Sequence, residues 1–462
     1  MSQAAVATAI GDADKFPSQI KYIVGNEACE RYSYYGMRSI LTVFMIQVLL
    51  MQEAQATSTY HLFAGACYLF PLLGAFISDR IWGKYKTILY LSLVYCLGHA
   101  VLSIWETKMG LYAGLALIAL GSGGIKPCVS AHVGDQFKAN QTHQLKKVYE
   151  LFYFMINFGS FFSTLITPWT LKAYGASIAF GIPGVLMLIA TFVFWLGRNE
   201  FVHVPPTKSD GHGLFAVLGS AFKHSKSRKP GQGFLDGAIK DHSQEQIDAV
   251  RAVLDIAKLF AAISVFWALF DQHGSSWVIQ AMNMDLVFMG QEFEASQIAA
   301  WNPIMVMGLI PLFSMVFYPM LDKMGLKTTP IRRMTWGMFV AAASFAMIGG
   351  LQMWMNGSEM KINVMWQFFP YLVITMAEVM ISITGLEFAY TQAPRAMKSS
   401  VMSIWLLTVF FGNMITAYVS QVNFFPVAST GYFMFFAVLM AIFAGIFMYM
   451  GSQYKVKNYM EK

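Results

Sequence analysis

The chain has 462 residues, 56% of them hydrophobic and only 12% charged, with a formal net charge of +7. A soluble domain carries roughly 25% charged residues, so a soluble globular class is excluded and an integral membrane protein is expected. The positive balance is scattered through the loops between apolar segments, which excludes a nucleic-acid-binding patch.

In chain order, Met1–Pro17 is polar and offers no apolar run before a cleavage-like site, so no secretory signal peptide is expected. Twelve segments then reach the length of about 20 mainly apolar residues that a membrane span needs. The first six are 20–50, 57–79, 86–105, 109–131, 147–174 and 178–197. The second six are 252–282, 293–322, 330–354, 361–391, 397–424 and 431–453. Between the sets lies a polar linker with Pro205, Pro206, Lys223, Lys226, Arg228 and Lys229, and a short apolar run, Gly213–Phe222, that suits an interfacial helix. The expected fold class is an all-α membrane protein of twelve transmembrane helices in two six-helix bundles. Residues 1–197 form the first bundle, 198–251 a cytoplasmic linker, and 252–462 the second bundle with a short tail.

Lys and Arg set the orientation. The loops on the side of the N-terminus hold Arg80, Lys84, Lys86, Lys138, Lys146, Lys147, Lys323, Lys327, Arg332, Arg333, Arg395 and Lys398, and the tail adds Lys455, Lys457 and Lys462. The opposite loops hold only Lys108, Lys172 and Lys361. Both termini are therefore expected in the cytoplasm, with the chain in the plasma (inner) membrane.

The first segment carries the densest set of charges. Glu27, Glu30, Arg31, Tyr34, Tyr35 and Arg38 follow helical spacing and share one face, spread over roughly 140°. Each charge at the bilayer centre costs about 2.5–3.5 kcal/mol on insertion scales, so this stripe must face protein or water. Other costly groups at membrane depth are His61, Tyr68, Lys126, Asn157, Asp271, His273, Asn302, Glu378 and Glu387. The cations Arg31, Arg38 and Lys126 belong to the first set, and the acids Asp271, Glu378 and Glu387 to the second. If the sets face each other, one wall is basic and the other acidic, which suits a zwitterion with carboxylate and ammonium at opposite ends. Arg31 can grip a carboxylate bidentately and Lys126 acts as a point charge, within G-S-G-G-I-K-P, where proline is expected to loosen the helix. His61 is either a satisfied buried imidazole or a proton relay. The four cysteines lack metal or redox spacing and read as small buried hydrophobes. The chain shows no H-E-x-x-H, G-x-S-x-G or P-loop pattern, so an enzyme is not expected.

Several motifs point the same way. Glu27-x-x-Glu30-Arg31-x-x-Tyr34-Tyr35-Gly36 resembles the first-helix signature of the proton-dependent oligopeptide transporters, a branch of the major facilitator superfamily. Phe152-Tyr153-Phe154-Met155-Ile156-Asn157-Phe158-Gly159-Ser160 resembles that family's fifth-helix signature. Tyr68, Asp79-Arg80, Lys126-Pro127, Phe266-Trp267-x-x-x-Asp271-Gln272-x-Gly274-Ser275 and Thr384-Gly385-Leu386-Glu387-Phe388 are similar to further elements of it.

The resemblance implies a major facilitator fold and a proton-coupled symporter that imports di- and tripeptides by alternating access. The alternative is a nitrate, drug or other small-solute carrier on the same fold. It implies proton coupling through Glu27, Glu30 and His61. The peptide carboxylate would meet Arg31, Lys126, Tyr34 and Tyr68, and the peptide amine Asn157, Asn302 and Glu378. A gate would use Arg38, Asp271 and Glu387, and Tyr35, Trp277 and Trp405 would bound a side-chain pocket. No cofactor or metal is expected beyond protons as the coupling ion. The expected partners are di- and tripeptides, protons and membrane lipid, with no nucleic acid and function as a monomer. The chain departs from the family pattern in its linker, Arg198–Arg251, which is too polar and short of apolar runs for the two helices that many bacterial members insert there, and in its seventh span, where Asp271 replaces the glutamate of many bacterial relatives and Ser276 stands where some animal-like members have a basic partner for the tenth-helix glutamate.

Overall fold

The computed structural model describes residues 16–137, 141, 144–206, 213–225 and 233–456. Residues before 16, together with Lys138, Lys226, Arg228, Lys229, Lys457 and Lys462, lie outside the described residues, as do the side chains of Lys146 and Arg395. The first half holds α1 (Ile20–Val43), α2 (Glu53–Ile77), α3 (Lys84–Ile104), α4 (Lys108–Asp135) and the long α5 (Leu145–Leu196). The linker contributes α6 (Leu214–Lys223). The second half holds α7 (Gln244–Phe270), α8 (Ser276–Met282), α9 (Trp301–Pro311), α10 (Tyr318–Lys323), α11 (Pro330–Gly357), α12 (Phe368–Glu378), α13 (Thr384–Gln392), α14 (Lys398–Val422) and α15 (Thr430–Gln453).

Ten helices among the described residues are long and apolar enough to cross a membrane. That number agrees with twelve spans for two physical reasons. Helix α1 is too charged to count among the ten, because its polar stripe lowers its hydropathy. Helix α5 is two spans run together across Gly175, whose φ of 82° and ψ of 176° break the helical path between them. Short helices pair end to end to make the remaining spans: α7 with α8, α9 with α10, and α12 with α13.

Among the described residues two large hydrophobic cores form, one drawn from residues between Ile20 and Phe201 and one from residues between Leu214 and Phe447, beside a small cluster of Phe313, Tyr318, Val379 and Met380. In the first, α1 lies along α5 and α3 along α4; in the second, α11 lies along α15 and α7 along α14. Across the two, α2 runs beside α14. Widened π turns occur at Phe44–Val48, Ser78–Trp82, Leu312–Phe317 and Val379–Ile383. Such turns each hold one residue more than an α turn and recur at functional sites.

Three local findings differ from the sequence-based expectation. Helix α7 starts at Gln244, inside the expected linker, because Ser243 and Gln246 form a reciprocal cap that nucleates it there. Between the seventh and eighth spans a two-residue hairpin, β1 (Val287–Phe288) with β2 (Gln291–Glu292), pairs antiparallel in the register Val287 with Glu292. Its turn places Met289 and Gly290 at φ 50° and 75°, the double left-handed geometry of tight hairpins. Pro127, expected to loosen the fourth span, instead sits within a continuous α4. There α4 is clamped against α2: a methyl at Gly74 would stand 2.0 Å from the Gly124 carbonyl oxygen. Only glycine permits that approach, and the packing holds the helix through the proline.

Candidate functional site

Along α1 the charged stripe turns into the protein, as its helical spacing requires, and Glu27, Glu30, Arg31, Tyr34 and Arg38 are all buried. Arg31 lies between both carboxylates of its own helix. Its Nε is 3.1 Å from Glu27 Oε1, and its guanidinium also contacts Glu30 closely. Ser122 of α4 donates to Glu30 Oε1 at 3.3 Å. Arg31 thus serves both acids of its helix, which offsets part of the cost of burying them away from water.

Lys126 takes a different position. Among the described residues no carboxylate lies within 4.0 Å of its Nζ. The ammonium stands 4.1 Å from the Tyr68 ring centroid and 5.6 Å from that of Tyr34. Tyr34 also faces the Arg31 guanidinium at 5.8 Å and stacks edge-on against Tyr35 at 5.3 Å. The aromatic faces supply part of the counter-charge that a carboxylate would otherwise provide. Arg31, Lys126, Tyr34 and Tyr68 thus come together, with Tyr35 beside them. The pairing of the glutamates falls to Arg31 rather than Lys126.

The second half answers with a smaller group. Asn302 of α9 donates to Glu378 Oε2 at 2.8 Å and to Thr375 Oγ1 at 3.2 Å. Glu378 ends α12 directly before the π turn at Val379–Ile383. Asn157 donates to the Tyr153 carbonyl of its own helix at 2.8 Å.

Of the three acids of the second half, Asp271 lies where α7 gives way to α8, Glu378 midway along the tenth span, and Glu387 beyond the π turn, 3.9 Å from Arg333. Glu387 therefore stands apart from the Arg38–Asp271 pair with which it was grouped as a gate. Trp277 is packed in the second core against Phe345 and Tyr371, and Trp405 against Phe260 and Trp267.

The end of the protein away from the termini is tied together by a buried polar chain. Arg38 Nη2 meets Asp271 Oδ1 at 2.5 Å, and Arg38 Nε donates to Tyr60 OH at 2.6 Å. Asn413 of α14 donates to Asp271 Oδ2 at 2.7 Å. Its carboxamide oxygen faces His61 Nδ1 at 2.7 Å, and His61 Nε2 faces Ser275 Oγ at 2.8 Å. Because Asn413 spends its amide hydrogens on Asp271 and a backbone carbonyl, its oxygen must accept from His61 Nδ1–H. The neutral imidazole then accepts from Ser275 through Nε2. Thr42 adds a bond to the Gly274 carbonyl at 2.7 Å. Further out, Lys172 bridges Glu292 at 3.3 Å and Glu294 at 2.9 Å, and Gln297 donates to the Leu165 carbonyl at 2.6 Å.

Sequence reasoning missed Tyr60 and Asn413. Both carried a signal: Asn413 is a carboxamide in the middle of an apolar span, and Tyr60 directly precedes His61.

Comparison with known proteins gives consistent findings. The sequence model described as the POT family matches residues 85–432. The chain is 41% identical over 360 residues to Peptide transporter family 1 of Drosophila melanogaster, covering 74% of this chain and 48% of that protein. It is 36% identical over 401 residues to Solute carrier family 15 member 2 of Homo sapiens, covering 80% and 54%. The chain spans about half the length of the curated relatives it matches. Among solved structures it superposes on an auto-inhibited POT family peptide transporter with a TM-score of 0.90 at 38% identity, covering 96% of this chain and 99% of that one. The POT family transporter PepTSo, solved in meso, gives 0.91 at 39% identity, with coverage of 96% and 99%. These are transporters rather than enzymes, and the shared architecture is the major facilitator fold.

Proposed function

The chain belongs to the POT family, and on that premise we propose that it is a proton-coupled symporter that imports di- and tripeptides by alternating access. The observation that carries this reading is the separation of charge between the halves: Arg31 and Lys126 from the first, Glu378 held by Asn302 from the second. A short peptide has the matching polarity, a carboxylate at one end and an ammonium at the other. Both termini face the cytoplasm in this reading, and the chain works as a monomer in the plasma membrane.

Coupling follows from the pairing of Arg31. With Glu27 and Glu30 charged, the guanidinium is occupied by its own helix. A proton on either carboxylate removes half of that hold and lets Arg31 turn to the peptide carboxylate, beside a Lys126 that has no carboxylate of its own. Loss of the proton toward the cytoplasm restores the internal pairs and displaces the peptide. Each ligand shifts the balance of states only by its differential affinity for them.

The test is uptake into vesicles reconstituted with the purified chain. An acidic exterior should drive dialanine to accumulate, with competition from other di- and tripeptides. No uptake driven by the pH gradient would overturn the assignment. Glu378→Ala separates this reading from carriage of nitrate or another anion: peptide uptake should fall at least about tenfold, the worth of one charge-assisted hydrogen bond, whereas an anion carrier would keep its activity.

A further inference from the structure

The structure holds a cavity of about 680 Å³ that the transport reading does not use. It opens where three spans end on the side of the termini: the start of α11, the end of α13, and the end of α15 with the residues that follow. Its lining is apolar where Ile331, Trp336 and the buried Phe388 face it, with the exposed Met448 at its edge, and Lys327 and Arg332 are the cations that line it.

Both cations are exposed, and among the described residues neither has a carboxylate within 4.0 Å. The acids nearby are already engaged. Asp322 accepts from the Thr328 backbone N–H at 2.7 Å and from its hydroxyl at 2.9 Å, and Glu387 faces Arg333. Arg332 donates once, to the Lys327 carbonyl at 3.1 Å, which orients the guanidinium and leaves its other N–H groups open. Thr391 and Gln392 add polar groups beside the two cations.

We propose that this cavity seats an anionic phospholipid from the leaflet on the terminus side. Lys327 and Arg332 would take the phosphate, and the apolar lining would take the first methylenes of the acyl chains. The cavity lies at the ends of spans, where headgroups lie, and a tryptophan at that level is the usual interfacial anchor. A basic pocket between span ends is a site that recognises an anionic headgroup. The apolar lining is what distinguishes a lipid from free phosphate, which would gain nothing from Phe388 or Met448. A bound lipid would wedge α11, α13 and α15 at a point one residue from the Arg333–Glu387 pair.

The experiment is native mass spectrometry of the full chain in detergent with added lipid. One phosphatidylglycerol should be retained in preference to phosphatidylcholine, and K327Q/R332Q should lose that preference on the order of tenfold. K361Q, at the opposite end, should keep it. The unmodified chain provides a readout that needs no variant: phosphatidylglycerol retention should fall as salt rises, and phosphatidylcholine retention should not. Equal retention of the two lipids, or full preference in K327Q/R332Q, would overturn the proposal. Displacement of the lipid by equimolar inorganic phosphate would overturn it too, in favour of a soluble phosphate ligand.

Discussion

Tyr60 and Gly274 show how much of the closed end depends on single atoms. A methyl group on Gly274 would stand 1.8 Å from Tyr60 OH, the oxygen that accepts from Arg38. Gly274→Ala should therefore weaken closure by the roughly 1–3 kcal/mol typical of overpacking. Dialanine uptake should drop, because the methyl would also stand 2.6 Å from Tyr60 Cζ and the ring must shift away from Arg38. Unchanged uptake would show that closure does not depend on this contact. Glu30→Gln should abolish accumulation against a gradient while peptide exchange across the membrane continues. Undiminished proton-driven accumulation would remove Glu30 from the coupling. The stripe on α1 was legible in the sequence because helical spacing and the cost of charge in lipid leave it one direction to face. Its internal pairing was not. Whether Arg31 or Lys126 neutralises the glutamates depends on side-chain reach between α1 and α4, which no spacing within one segment encodes. Tyr60 and Asn413 escaped notice for a related reason: each looks unremarkable until a residue from another span is placed beside it.

At the scale of the element, the linker helix α6 shows a pH dependence. Asp241 Oδ2 accepts from Ser220 at 2.7 Å and lies 3.1 Å from His224 Nε2. The Ser220 hydroxyl holds the Asp241 carboxyl below its ordinary value of 3.8, with a smaller contribution from His224. A depressed carboxyl stabilises the folded arrangement above its unfolded pKa, and that contribution is lost as the pH falls through the lower folded value. The protection of residues 214–223, their hydrogen exchange relative to that of an unfolded chain at the same pH, should accordingly fall as the pH is lowered below about 4. D241N should exchange faster at neutral pH and lose most of this dependence; an unchanged profile in D241N would refute the link. The short apolar run was legible as a helix too short to span, and Leu214–Lys223 is that helix. The early start of α7 was less so, because the signal is a cap of two polar residues rather than an apolar pattern. The hairpin was hidden because its strands are two residues long and its turn reads Met-Gly.

For the whole molecule, two kinds of tie cross between the halves at the end away from the termini. Arg38–Asp271 is buried, and removing one partner strands the other charge at a cost of about 3–5 kcal/mol. Lys172 with Glu292 and Glu294 is half-exposed, where such pairs contribute about 0–1 kcal/mol. Asp271→Ala should therefore shift the distribution of distances between spin labels on α2 and α8 toward separation, and Lys172→Gln should leave it nearly unchanged. The reverse ranking would show that the exposed ties control closure. Twelve spans in two sets were legible because span length is fixed by the bilayer; the levels at which the second set's acids sit were not, because a helix of nearly thirty residues carries its polar groups through the whole thickness. One irregularity in that helix bears on descent. The π turn at Val379–Ile383 absorbs an extra residue locally, so the backbone before and after it keeps a common register. Deleting one residue there would let the turn relax to α geometry, with Glu378 and Glu387 still on their faces. A deletion within Phe368–Ala377 would instead rotate everything beyond it by about 100°. Length changes in the tenth span should thus accumulate at this turn, making it the place where homologous chains are aligned with a gap.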